Sequence, residues 1–103
     1  MVLVSVFYPN TPGSRFDRDY YLNHHTPLLR ERWSAMGLTE IRLLQGTGGP
    51  DGSPAIYQVI ALLSFASAEA LQGALGAHGA EILGDVPRFT DVQPVIQMNA
   101  ALE

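Results

Sequence analysis

Ile56-Tyr57-Gln58-Val59-Ile60-Ala61-Leu62-Leu63, closed by Ser64-Phe65, is the stretch on which the fold turns. It is rich in β-branched and aromatic residues, and Pro54 and Ser67 stand just outside its ends, so it reads as a strand over Ile56 to Phe65. A strand with one wet face alternates apolar and polar residues, whereas this one is apolar almost throughout and predicts burial on both faces. Five consecutive aliphatic residues fall far short of the ~20 needed for a membrane helix, so no membrane partner is expected.

Working outward, Ser67 is placed to cap a helix that carries Glu69 in its first turn and Leu71, Ala74, Leu75 and His78 at helical spacing. Gly76 and Gly79 predict that it fades, with a short helical piece over Ala80 to Asp85 and a fourth strand from Asp91 to Met98. Upstream, Gly46 to Pro54 reads as a loop, and Leu38 to Thr47 as a strand with Ile41 and Leu43 on one side and Arg42 and Leu44 on the other. Val2 to Tyr8 is a first strand ended by Pro9-Asn10-Thr11-Pro12-Gly13. Between it and Leu38 lies a helix, with Asp17 as N-cap and Gly37 as its C-terminal stop.

The resulting order, β-α-β-β-α-β, predicts an α+β ferredoxin-like fold with a four-stranded antiparallel sheet in a single domain spanning residues 1–103. Right-handed crossovers put both helices on one side of the sheet. Yet strand one carries Val2, Val4, Val6 and Tyr8 on one face and Leu3, Ser5 and Phe7 on the other. An apolar face of that extent calls for cover, and a homodimer with two sheets face to face is the expected arrangement.

Composition narrows the function. The net charge is −4, the six basic residues are all arginines, and they are scattered, so nucleic acid is not an expected partner. No lysine is available for a Schiff base and no cysteine for a thiolate, disulfide or thiolate-bound metal. No targeting signal is read at the start, and a cytoplasmic location is the default.

The helix between strands one and two contains Phe16-Asp17-Arg18-Asp19-Tyr20-Tyr21-Leu22-Asn23-His24-His25-Thr26-Pro27-Leu28. Proline at 27 removes a donor and clashes with the Asn23 carbonyl, which predicts a break with Thr26 as N-cap of a fresh turn. On a regular helix Leu22, His25, Leu29, Trp33 and Met36 form one stripe, with Tyr21 along its edge. A histidine on such a stripe is either a buried side chain satisfied by a hydrogen bond or a proton carrier near neutrality, and both readings stand. Tyr21 is the better placed of the two tyrosines to join it. Tyr20, His24, Trp33, Tyr57 and Phe65 are further candidates for contact with a ligand. No metal is expected: the adjacent His24 and His25 diverge, and His78 with Glu81 is the only visible supplement. His78 reads as a residue at the helix end, and Asp85 and Asp91 as turn or strand-edge residues.

The run Phe16-Asp17-x-x-Tyr20-Tyr21-x-x-x-His25-x-Pro27-Leu28, with the opening Tyr8-Pro9 and the closing Phe89-Thr90-Asp91-Val92-x-Pro94, resembles the EthD family, named for ethyl tert-butyl ether degradation. The resemblance covers nearly the whole chain. It implies a dimeric α+β barrel and a pocket between sheet and helices lined by the first helix. An ionisable residue on an otherwise apolar stripe points to a pocket that takes a small, largely apolar organic molecule and needs no cofactor. Proteins with this barrel include isomerases, cyclases, cofactor-free monooxygenases and haem-binding enzymes, and fold does not choose among them. Two expectations lead, proton-transfer chemistry with His25 and Tyr21 as catalytic residues or a non-enzymatic ligand-binding or accessory protein of an oxidative degradation system, and haem binding through His25 or His78 is a third.

Overall fold

The computed structural model describes residues 1–103. Four strands, β1 (Val2–Pro9), β2 (Leu38–Gln45), β3 (Tyr57–Phe65) and β4 (Val95–Ala100), form one sheet in the order β2-β3-β1-β4. All neighbouring pairs are antiparallel, as the ferredoxin-like pattern requires. Register places Val4 opposite Leu63 and Met98, and Val6 opposite Ala61 and Ile96, so these residues share the helix-covered face. Leu3, Phe7, Ile60 and Leu62 lie on the other face, which no helix covers and where they stay half-buried.

The first helical segment is built from α1 (Arg18–Tyr20), a π-helical turn (Tyr21–His25) and α2 (Thr26–Trp33), ending in a 3-10 turn over Ser34–Met36. Asp17 caps it, its carboxylate accepting from the Tyr20 amide at 3.1 Å. Gly37 ends it at φ 102°, and a Cβ there would come within 2.7 Å of Ala70 Cβ, so both backbone and space demand glycine.

The expected break before Pro27 is absent. Thr26 keeps helical angles and is no N-cap; its amide and its hydroxyl both donate to the Tyr21 carbonyl, the hydroxyl at 2.9 Å. The missing donor of Pro27 is absorbed by a wide i→i+5 turn instead of a restart. One extra residue in a turn rotates what precedes it by about 100°. Hence Tyr21 is buried with His25, Leu29 and Trp33, while Leu22, expected on the stripe, is 53% exposed.

The second long helix, α3 (Ala68–Asp85), runs unbroken through Gly76 and Gly79, because Leu71, Ala74 and Ile82 are buried against the sheet and outweigh the glycines' weak propensity. His78 therefore sits inside the helix, 3.8 Å from Glu81, not at its end. A 3-10 turn (Val86–Arg88) follows. Strand four starts at Val95, four residues later than expected, because residues 89–92 are held elsewhere. Phe16 bridges to Thr90, the Asp17 amide donates to the Phe89 carbonyl at 2.7 Å, and the Asp91 carboxylate accepts from the Arg15 amide. Strand two stops at Gln45. No helix is long and apolar enough to cross a membrane.

Candidate functional site

Between the sheet and the helices lies a cavity of about 90 Å³ with hydrocarbon along most of its wall. Val4, Val6, Ala61, Leu63 and Phe65 form its sheet side, Leu29 and Trp33 come from α2, and Ile82 and Gly79 from α3. Three side chains bring polar atoms to it: Tyr8 and Tyr21, whose hydroxyls interact with each other, and His25. The Trp33 indole also lines it, but its N–H is engaged by the Ala74 carbonyl at 2.8 Å.

His25 is 4% exposed, and its Nδ1 lies 2.9 Å from Asp85 Oδ2. A carboxylate only accepts, so Nδ1 carries the proton and the lone pair resides on Nε2. No buried side-chain nitrogen or oxygen is sealed off without a partner, and Nε2 has none, so it faces open space on the cavity side. Burial pushes the His25 pKa below its usual 6.5, partly countered by the hydrogen bond and charge of Asp85, and the ring is neutral at pH 7.

Asp85, the last residue of α3, is the joint of the site. Its Oδ1 accepts from the Tyr20 hydroxyl at 2.8 Å, and the Arg88 guanidinium stands 3.7 Å away. Partial burial works to raise its pKa, but hydrogen bonds from His25 and Tyr20 outweigh this and hold it below the usual carboxylate range. It is thus no mere turn residue. Its partnership with His25 spans 60 positions of sequence, and no spacing rule would have revealed it.

An aromatic cluster fixes the rings. Tyr21 stacks on His25 with centroids 5.6 Å apart and planes 18° from parallel. Phe89, fully buried, contacts His25 at 4.6 Å and Tyr21 at 5.0 Å. Tyr8 sits edge-on to Tyr21 at 5.7 Å, at the end of β1. Burial raises both phenols, Tyr21 to about 12 and Tyr8 higher still, so both are protonated donors at neutral pH.

Of the residues picked from sequence, His25, Tyr21, Trp33 and Phe65 meet in the cavity wall. Tyr20 stands behind it, on the outer side of Asp85, its ring tilted 33° against that of His24. His24 is exposed, as neighbouring helical residues diverge by about 100°. Tyr57 packs on Phe7 at 4.9 Å on the uncovered face of the sheet, away from the cavity. Tyr8 and Asp85 were not foreseen as site residues. Tyr8 could have been: it shares the face of Val4 and Val6, at the strand end nearest the helix start.

An EthD-like protein from Ralstonia eutropha JMP134 is 34% identical and superimposes with a TM-score of 0.89, the match covering 99% of this chain and 92% of that one. The chain belongs to the EthD family. An ethyl tert-butyl ether degradation family protein from Bacillus halodurans C-125 is 19% identical, TM-score 0.70, with 99% of each chain covered. SnoaB, a cofactor-independent oxygenase from Streptomyces nogalater, is 12% identical at TM-score 0.63, covering 99% of this chain and 92% of its own, a likeness of fold alone. No family model and no curated protein matches the chain.

Proposed function

We propose that this EthD protein binds a small, largely apolar organic molecule in the cavity and moves a proton on it without a cofactor. His25 acts as the acid–base and Tyr21 as the hydrogen-bond donor. The chemistry is of isomerase or lyase type and serves a degradation pathway. One observation carries the reading: a neutral histidine ring joins an ionised aspartate on one side to an apolar cavity on the other.

The Nε2 lone pair accepts a proton from a carbon next to a carbonyl, and the C–H electron pair passes to the carbonyl oxygen. The Tyr21 hydroxyl stabilises that oxygen as charge grows on it, with Tyr8 behind it donating to the Tyr21 oxygen. The imidazolium so formed is held by Asp85, which supplies the countercharge without leaving its hydrogen bond. Returning the proton to a different carbon completes an isomerisation. That a cofactor-independent oxygenase shares this fold supports the cofactor-free part of the proposal.

Leu3, Phe7, Ile60 and Leu62 form an apolar sheet face without helical cover, which supports a homodimer in which a second copy lies against it. The test of the chemistry is to incubate lactones, aldehydes and ring-cleavage products with wild type and His25→Ala in D₂O. Loss of the α-proton signal by NMR is expected with wild type only. Equal turnover by a correctly folded variant removes His25 from catalysis and leaves a binding protein.

A further inference from the structure

The cavity is not symmetric. Its three polar side chains, Tyr8, Tyr21 and His25, cluster with Val86 at the end near the C-terminus of α3. The rest of the wall is hydrocarbon, and no arginine touches it. Most lining side chains are buried, but Leu83 is 53% and Ile96 46% exposed, with Leu75 and Pro94 half-buried. The cavity therefore reaches solvent through a gap between α3 and β4, whose two lips are apolar.

Gly79 lies in this wall, one helical turn from both Leu75 and Leu83. It has no positive φ, and a Cβ there would make only ordinary contact, 3.8 Å from Leu75, so neither backbone nor packing requires glycine. What the missing side chain does is leave a notch between two leucines. At about 90 Å³ the cavity is smaller than the ~150 Å³ apolar cavity that accepts a benzene ring, so a slim group fits inside and a larger body must leave through the gap.

We infer that the ligand is a neutral carbonyl compound with a slim apolar chain, its oxygen at the Tyr21 hydroxyl, the carbon next to it beside His25, its chain over Gly79 and out between Leu83 and Ile96. Gly79 sets the width of body that passes. A carboxylate head is disfavoured, because it would be buried with no cation to pair it. This inference rests on the cavity being the binding site, as proposed above.

The experiment is calorimetric titration of 2-pentanone, 2-heptanone and 2-nonanone, with heptanoate as the charged comparator. Wild type is expected to gain roughly three- to fourfold in affinity per methylene. Heptanoate should bind at least tenfold more weakly than 2-heptanone. Gly79→Leu should weaken 2-nonanone tenfold or more and 2-pentanone less than threefold. Leu83→Ser, at an exposed lip where folding is not at stake, should flatten the chain-length dependence, so the path is tested even if Gly79→Leu fails to fold. Heptanoate binding as tightly as the ketone, absence of a chain-length gain, or equal losses for short and long ketones each overturn the inference while leaving the cavity as a binding site. Failure of wild type to bind any ketone, with proton transfer retained on another substrate, overturns the inference alone. Failure of both overturns the proposed function with it.

Discussion

Asp85 does two things to His25 that a neutral partner would separate. It fixes the proton on Nδ1 by hydrogen bonding, and it stabilises the imidazolium by charge. In Asp85→Asn the amide oxygen still accepts from Nδ1, so orientation survives while the charge is lost. The His25 pKa, already lowered by burial, should fall further. The acid limb of kcat/KM should move to lower pH, with kcat down on the order of tenfold or more. Histidine side-chain NMR titration reads the shift directly, and an unmoved pKa would mean that the contact does not act on His25. Stability carries a related signature. The folded pKa of His25 lies below its unfolded 6.5, so the folded state binds this proton less readily than the unfolded one. Its contribution is complete above pH 6.5 and is lost as pH falls from there to the folded value. Asp85, with a folded pKa below 3.8, gives a second loss that begins only near that value. Urea midpoints between pH 8 and 3 should show both steps, and His25→Gln should remove the upper one.

At the scale of the element, the π-helical turn decides which residues reach the cavity. The Tyr21 carbonyl, shared by the Thr26 amide and hydroxyl, anchors it. Thr26→Val keeps the shape and deletes the second bond, with an expected cost of about 0.5–1.5 kcal/mol and faster amide exchange over Tyr21–His25. Unchanged exchange would show that the hydroxyl is not what holds the turn. The same turn explains what the sequence could and could not disclose. The β-branched, apolar runs of β1 and β3, the Asp17 and Ser67 caps and Gly37 are local signals, and the strands and helix starts followed from them. His25 and Trp33 were legible because they lie on α2 or at its start, where the register is regular. Leu22 was misassigned because a 3.6-residue period was carried through a turn that has an extra residue. Pro27 announced a disturbance there, but whether a proline breaks a helix or widens it depends on packing from Phe89 and Tyr8, which come from distant parts of the chain. Asp85 and Tyr8 were hidden for that reason too: their roles come from tertiary placement.

Taken as a whole molecule, the protein is one sheet with helices and the cavity on one side and an unshielded apolar layer on the other. Ser5 and Ser64 are buried on that second side, at 7% exposure each, because larger apolar neighbours overhang them. Hydrogen bonds from Asn99 to Ser5 and to the Leu3 carbonyl knit its polar groups together, so a partner surface would meet few loose donors. Association through this face should give twice the 11.2 kDa chain mass in sedimentation at low micromolar concentration. A charge at its centre tests it: Leu62 is half-buried there, opposite Ser5 and Arg42. Leu62→Asp loses little within one chain, where Arg42 stands opposite, but would bury charged groups in place of leucine between two, so it should yield a folded 11.2 kDa species. The cavity lies across the sheet from Leu62, which makes ligand affinity the informative second readout. If cavity and dimer face are independent, the monomeric variant binds 2-heptanone as wild type does. A loss of binding together with the dimer would mean that the second copy braces β1 and β3 from behind and is needed to hold Tyr8 and Ala61 in the cavity wall. A Leu62→Asp protein that still sediments as a dimer would rule this face out as the interface.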